Sequence, residues 1–467
     1  MFKFKAFCLE CINCGKKIGP EVNTAKCPVC KGLFMPRYDE EYIKHLLNRN
    51  YFTPRQYFDE IRWGAKRKQY PYGSGVFMWL DFILPDFPTE FVVSLREGQT
   101  DMFEAPDWLK KEIGLKNLFI KLEGQNPSGS FKDRGMPMAI SWARFQQEVF
   151  PELGIVGVAC ASTGDTSASA AQYASYCRDK LLCVIFVPHG KISPEQLAQA
   201  TMSGAMVIAV DHPTNPGFDS CMKIVQEFNA RFPKFAMVNS ANILRVVGQQ
   251  SIAVEINQDF GWDSPDWIAI PAGNGGNLTA LMLSLLRQKE HGLIDRVPGV
   301  IAGQTTNSDP LVRWADSGFT KYEPLKKPPI SIASAMDIQD PVSFPRINLL
   351  LKDFLKESVS GIHFFKSDNL EINRTRARFN RAGADVCPQG AVAIHATLQA
   401  RDKGIVKEND RVVAISTASS LKFTESAMKY HMSPCVASGE VTEAFANPFR
   451  VATTGTVEEI AKILNLT

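Results

Sequence analysis

The sequence predicts an α/β protein built on a predominantly parallel sheet, preceded by a small cysteine-rich segment resembling a zinc ribbon. Three observations carry that expectation. From Asn117 onward, short β-branched or apolar runs alternate with longer amphipathic ones, the signature of strands joined by crossover helices. Five of the eleven cysteines lie in the first thirty residues, four of them in two Cys-x2-Cys pairs. Several strand-like runs are followed directly by loops rich in glycine and hydroxyl side chains, at the carboxyl ends where parallel sheets bind ligands.

The cysteines come first along the chain. "CINCG" and "CPVCKG" place Cys11, Cys14, Cys27 and Cys30 in two pairs separated by twelve residues, a loop geometry in which four thiolates converge on one tetrahedral metal. Cys8 is a fifth candidate for the four positions. Such a site is closed, so its expected role is folding or docking. Residues 38–90, rich in Tyr, Phe and Trp at helical spacing as in "EEYIKHLLNRNYF", predict helices packed on the main body. Then "GIVGVACAS", "LLCVIFVP", "MVIAV", "WIAIPAGNGGN", "GVIAGQ" and "RVVAIST" read as strands. Between them "SASAAQYASYCRDK", "SPEQLAQATMSG" and "FDSCMKIVQEFNARF" have helical spacing, the first two opened by a capping serine.

Composition excludes several classes. Hydrophobic residues make up 45% and charged residues 22% of the 467, so disorder is not indicated. A net charge of +3 and one isolated basic cluster, "RWGAKRKQY", do not make a nucleic-acid-binding face. "GVFMWLDFIL" is broken by Asp81, and no run approaches the ~20 apolar residues of a membrane span. With no signal-like apolar stretch at the start, and cysteines in metal-like rather than disulfide spacing, a cytoplasmic protein is expected. Cys160, Cys177, Cys183 and Cys221 read as buried packing residues, and His395 as a satisfied, half-buried histidine.

Three loops and one lysine carry the chemistry. "PAGNGGNL", Pro271 to Leu278, follows a strand and opens a helix, so its backbone N–H groups suit an anion. It has neither the Gly-x-Gly-x-x-Gly of a dinucleotide fold nor a P-loop lysine, which points to a monophosphate. "ASTGDTSAS", Ala161 to Ser169, offers hydroxyls around Gly164 and Asp165 at another helix start, for a carboxylate or a phosphate. "AISTASSLKF" follows the last strand and is by itself an ordinary turn. In "EGQNPSGSFKDRG", Lys132 is either a surface lysine beside Asp133 or a buried amine; a buried lysine with lowered pKa condenses with aldehydes. With a monophosphate loop, that suggests pyridoxal 5′-phosphate.

"SGSFKDRG", "ASTGDTSAS", "NSANILRVVGQ", "PAGNGGNL", "SAMDIQDPVS" and "STASSLKF", in that order, resemble the threonine synthases of the tryptophan-synthase-β-like pyridoxal-phosphate enzymes. The resemblance runs from about Leu95 to near His431, is nearest the plant-type branch in "LKFTESAMKYH", and extends to the cysteine ribbon found in some members. It implies two open-sheet α/β domains: a large one of residues 95–135 and 239–424, with residues 136–238 inserted as a small one. They are preceded by a ribbon (1–37) and a helical segment (38–94) and followed by an extension (425–467). It further implies that Lys132 anchors the cofactor and moves protons. Gly273, Asn274, Gly275, Gly276 and Asn277 hold the cofactor phosphate, Asp165 lies near the ring hydroxyl and Thr417 meets the ring nitrogen. For O-phospho-L-homoserine, Ser162, Asn239, Ser240, Arg245 and Asn274 take the phosphate, and Thr163 and Thr166 the carboxylate. A homodimer is implied as well. Two positions depart from the family: Gln389 in "CPQG" and Ser419 in "STASS" replace histidines with groups that cannot act as bases near pH 7. A phosphoserine-directed enzyme of the cysteate-synthase kind, a serine/threonine dehydratase, and a catalytically silent homologue that keeps the cofactor are the alternatives.

Overall fold

The computed structural model describes residues 3–49, 53–162, 164–189, 194–211, 218–326, 331–432 and 443–466. The first unit is a three-stranded antiparallel sheet of β1 (Phe7–Cys11), β2 (Lys17–Ile18) and β3 (Phe34–Tyr38), in the order β2-β1-β3. Its aromatic residues anchor it to the helix Lys132–Val149: Phe4 stacks on Trp142 with ring centroids 5.4 Å apart, and Phe7 meets the same indole edge-on at 6.0 Å. Gln146 of that helix donates to the carbonyls of Pro20, at 2.7 Å, and Val22.

The aromatic-rich segment is helical where expected. Glu40–Leu47 is capped by Asp39, which accepts from Tyr42 N, and Pro54–Trp63 by a reciprocal Thr53–Gln56 box. Glu40 ties the first of these to the main body through Arg287 at 2.8 Å and His291 at 2.7 Å.

The main body holds two further sheets. One contains β4 (Met102–Glu104), β5 (Asn117–Leu122), β10 (Trp267–Pro271), β11 (Gly299–Thr305), β12 (Ile362–Ser367) and β13 (Arg411–Ser416), in the order β12-β11-β10-β13-β5-β4. All its pairings are parallel except β4 with β5. The other contains β6 (Gly157–Ala161), β7 (Leu182–Pro188), β8 (Met206–Val210) and β9 (Phe235–Met237), in the order β8-β7-β6-β9, all parallel. Central strands such as β6 and β11 are buried along their whole length, which is why they read as continuous apolar runs.

Every strand expected from its apolar run is present, and the two main sheets add β4, β5, β9 and β12, the last, "IHFFKS", disguised by a histidine and a lysine. One capping expectation is corrected. The helix after β6 begins at Asp165 with Gly164 as its N-cap and no side-chain cap, so Ser167 lies inside its first turn. The serine expected to cap Pro194–Met202 lies outside the described residues.

Candidate active site

Sheet order sets the site. β13 lies between β10 and β5, so the loops leaving these three strands emerge side by side at their carboxyl ends. The loop after β5 leads to Lys132, the first residue of its helix. Asp133 is not its ion-pair partner: fully buried, it accepts from Ser128 N and Oγ, both at 2.6 Å, and from Ser169 Oγ at 2.5 Å. Burial still pushes the Asp133 carboxyl up to about 6. The Lys132 amine sits 3.9 Å from the Phe131 ring centroid. Burial, with the positive charges of Arg245 and Lys422, pushes it down to about 7 against the opposing effect of Asp165. A large share of this amine is therefore uncharged near neutrality, the form that attacks a carbonyl.

The residue after Asp133 explains why the turn holds its place. Arg134, with no exposed surface, pairs with Glu123 at 2.7 Å and Glu255 at 2.6 Å, and Glu255 also holds Lys121 of β5 at 2.8 Å. Strand, turn and helix are thus cross-linked behind the lysine. On the other side the chain zips to the loop after β13: Phe131 N donates to Thr417 O at 2.8 Å and Ser419 N to Gly129 O at 3.0 Å. Thr417 is buried, with Oγ1 3.5 Å from Cys387 Sγ, and Cys387 caps the helix Pro388–Asp402 by accepting from Gly390 N. In the same motif, Lys422 pairs with Asp165 at 2.8 Å and donates to Ser128 O at 2.8 Å. Sequence reasoning left Lys422 unassigned, because nothing in the spacing reveals a partner at the start of the helix after β6.

Arg245 reaches the lysine through a close helix crossing. A Cβ on Gly135 would lie 2.5 Å from Arg245 O, and one on Gly248 2.2 Å from Arg134 O, so the helices Lys132–Val149 and Ile243–Gln249 meet backbone to backbone. Arg245 is buried with its Nε unpartnered and only Nη1, at 3.4 Å from Val238 O, engaged; burial lowers its pKa. A buried guanidinium with free donors suits an anionic ligand. Asn239, expected beside it, is mostly engaged: its amide accepts from Ala161 N at 3.1 Å and donates to Ala161 O at 2.7 Å, continuing the β6–β9 pairing and leaving one N–H free. Ser162 Oγ accepts from Gly164 N at 3.2 Å; Ser240 and Thr166 are half-buried, and Thr163 lies outside the described residues.

The glycine loop after β10 fits a phosphate. Gly275, at φ +76°, closes the turn in the left-handed region and caps the helix Gly276–Glu290 without a side chain, leaving its first N–H groups free. A Cβ on Gly275 would lie 2.7 Å from Ile347 Cδ1, whereas one on Gly276 would meet nothing closer than Gln249 Oε1 at 3.8 Å. The loop is packed behind and open in front. Asn274 is held by Ser343 N, which donates to its carbonyl at 3.0 Å, and Asn277, in the first turn of the helix, is buried with Nδ2 unpartnered. Open cradle, unpartnered amide and low-pKa amine together match a phosphorylated aldehyde cofactor.

Of the two departures from the family, Ser419 caps the short turn Ser420–Phe423 through Leu421 N, and Gln389 is buried with both amide atoms unpartnered. His395 is satisfied, bonded to Ser367 Oγ at 2.7 Å and Gln399 at 3.1 Å. In the ribbon, the sulfurs of Cys11, Cys14, Cys27 and Cys30 all lie within 4.8 Å of one another, with contacts of 3.4–3.6 Å. A tetrahedral zinc–thiolate site has S···S edges of about 3.8 Å, so the donor set fits that metal. Cys8, on β1, stands outside the cluster.

Residues 93–418 match the family model described as pyridoxal-phosphate dependent enzyme. The chain is 35% identical over 398 residues to threonine synthase 2, chloroplastic, of Arabidopsis thaliana, covering 85% of this chain and 71% of that protein. It is 32% identical over 425 residues to the threonine synthase of Methanocaldococcus jannaschii, covering 91% and 95%. The fold is similar to the crystal structure of threonine synthase from Escherichia coli, with TM-score 0.66 at 20% identity over 98% of this chain and 95% of that one.

Proposed function

From a chain that belongs to the pyridoxal-phosphate dependent enzymes and, within them, to the threonine synthases, we infer the conversion of O-phospho-L-homoserine and water to L-threonine and phosphate by γ-elimination and β-addition. The observation that carries this reading is one low-pKa amine flanked by two separate anion-binding elements, the glycine loop and the buried Arg245. A phosphorylated substrate on a phosphorylated cofactor needs both. The second element counts against a dehydratase, whose substrate carries no phosphate.

Pyridoxal 5′-phosphate, when bound, supplies the electron sink that lets protons leave the carbon chain. The residues that would hold it are Gly273, Asn274, Gly275, Gly276 and Asn277 at its phosphate, Asp165 near its ring hydroxyl and Thr417 at its ring nitrogen, with Lys132 as anchor. A hydroxyl partner at the nitrogen restrains the sink, which favours elimination over transamination. Lys132, as the uncharged amine, takes the proton from Cα and moves the proton of Cβ. Arg245 holds the substrate phosphate with Ser162, Ser240, Asn274 and the free N–H of Asn239, so that it leaves from Cγ in a defined direction. Thr163 and Thr166 receive the carboxylate at the start of their helix.

Cys11, Cys14, Cys27 and Cys30 bind a structural zinc, a reading supported by the convergence of their sulfurs. Residues 136–238 form the small domain, supported by the confinement of β6 to β9 to one sheet, with 95–135 and 239–424 as the large domain around it. The assembly is a homodimer by resemblance to the family. The cytoplasmic assignment rests on cysteines spaced for a metal rather than for disulfides; among the described residues, no helix is long and apolar enough to cross a membrane.

The test is to supply O-phospho-L-homoserine, and separately O-phospho-L-serine with sulfite, and to follow phosphate release and the amino-acid product. Threonine from the first supports the reading. Phosphate from phosphoserine alone moves the chain to the β-replacement enzymes, and no product from either, with cofactor bound, sinks it.

A further inference from the structure

Arg346 lies in the helix Phe344–Glu357 and has no solvent exposure. Its three hydrogen bonds go to neutral oxygens: Phe34 O of β3 at 2.9 Å, Ala241 O at 2.9 Å and Ser343 Oγ at 3.4 Å. A buried cation without a carboxylate is unfavourable, and burial alone lowers this one to about 9. Its neighbours indicate where its countercharge comes from. Ser343 N donates to Asn274 O at 3.0 Å, and Ser343 Oγ lies 3.8 Å from where a Cβ on Gly276 would be, so the guanidinium stands one side chain behind the glycine loop. Ala241 belongs to the turn Asn239–Asn242 that opens the helix of Arg245. The third contact, Phe34, opens β3 of the ribbon sheet, just after the second cysteine pair.

We propose that Arg346 is a positioning residue whose buried charge is matched by bound phosphate, and that it sets the preference of the site for phosphorylated over unphosphorylated cofactor while tying the glycine loop to the Asn239–Asn242 turn. The proposal rests on the reading that Gly273 to Asn277 hold the cofactor phosphate. A charge at this remove acts through space on a dianion in a medium of intermediate dielectric, which corresponds to about tenfold in affinity. A strut that only braced the loops would affect phosphorylated and unphosphorylated cofactor alike.

The experiment measures binding of pyridoxal 5′-phosphate and of pyridoxal to the full chain stripped of cofactor, by calorimetry, for the protein and for Arg346→Gln, which keeps amide donors and removes the charge. The expected result is an about tenfold fall in the preference for the phosphorylated form, with pyridoxal affinity within about twofold. Equal weakening of both ligands overturns the proposal and leaves Arg346 a strut. An unmodified protein with no preference sinks the glycine-loop reading instead, so the two failures are distinguishable. Arg346→Lys decides the matter even if the glutamine variant does not fold. A lysine buried here loses its proton at lower pH than the arginine does, so its preference, relative to the unmodified protein at the same pH, is retained near pH 6.5 and lost by about pH 8, where the arginine is still mostly charged. A pH-independent ratio overturns the proposal.

Discussion

The chemistry of Lys132 follows from where its charge is unwelcome. Held by burial and by Arg245 at about 7, against about 10.4 in an unfolded chain, its amine carries fewer protons folded than unfolded across that interval. Stability of the cofactor-free protein is therefore expected to rise with pH from about 7 to about 10.4, and Lys132→Met is expected to lack that increment. Urea unfolding of both proteins at several pH values checks the sign. Arg245→Met removes charge-assisted hydrogen bonds worth roughly 1.5–3 kcal/mol each. The KM for O-phospho-L-homoserine is expected to rise at least tenfold, with cofactor absorbance unchanged. Gln389 has two enclosed amide atoms with no partner, so Gln389→Met is expected to raise the stability of the cofactor-free protein by about 1 kcal/mol in thermal unfolding. A loss would show that the amide has a partner in solution.

Among elements, the crossing of the helices Lys132–Val149 and Ile243–Gln249 decides how closely a cation and an amine can coexist. With the Gly248 Cβ position only 2.2 Å from Arg134 O, Gly248→Val forces the helices apart. The expected cost is roughly 3 kcal/mol in urea unfolding, with a raised KM because Arg245 moves with its helix. Arg134→Met breaks the buried pairs to Glu123 and Glu255 and strands both carboxylates. Its expected cost is larger, about 3–5 kcal/mol. If the two variants ranked in the opposite order, the ion network would be less important to the turn than the packing of the crossing.

The whole molecule joins the ribbon to the site through one helix and one arginine. The ribbon sits on Trp142 and Gln146 of the helix that begins at Lys132, and Phe34 O accepts from Arg346. Chelation of the metal is expected to lower the midpoint of thermal unfolding by several degrees and to slow turnover without changing the product. Metal analysis is expected to find one zinc per chain, with Cys27→Ser reducing it. An unchanged midpoint after verified metal removal would uncouple the ribbon from the fold.

Much of this protein was legible along the chain because it depends on local pattern. Apolar runs in fully covered parallel strands announce themselves, Cys-x2-Cys pairs bring thiolates together by their own loops, and a glycine-rich turn between strand and helix exposes its N–H groups whatever lies around it. The strand β12 was missed because His363 and Lys366 interrupt its apolar pattern, and the cap of the Asp165 helix because glycine can take that position without a side-chain signal. The family resemblance grouped Lys132, Asp165, Arg245 and Thr417 around one site, but pattern and spacing could not give the direct contacts between distant segments. Whether Lys132 is a surface lysine or a reactive amine depends on Asp133 turning to Ser128 and Ser169, on Arg245 arriving over Gly135, and on Lys422 occupying Asp165. Electrostatic work depends on distance and burial, and for residues in different elements both quantities exist only once the chain has folded.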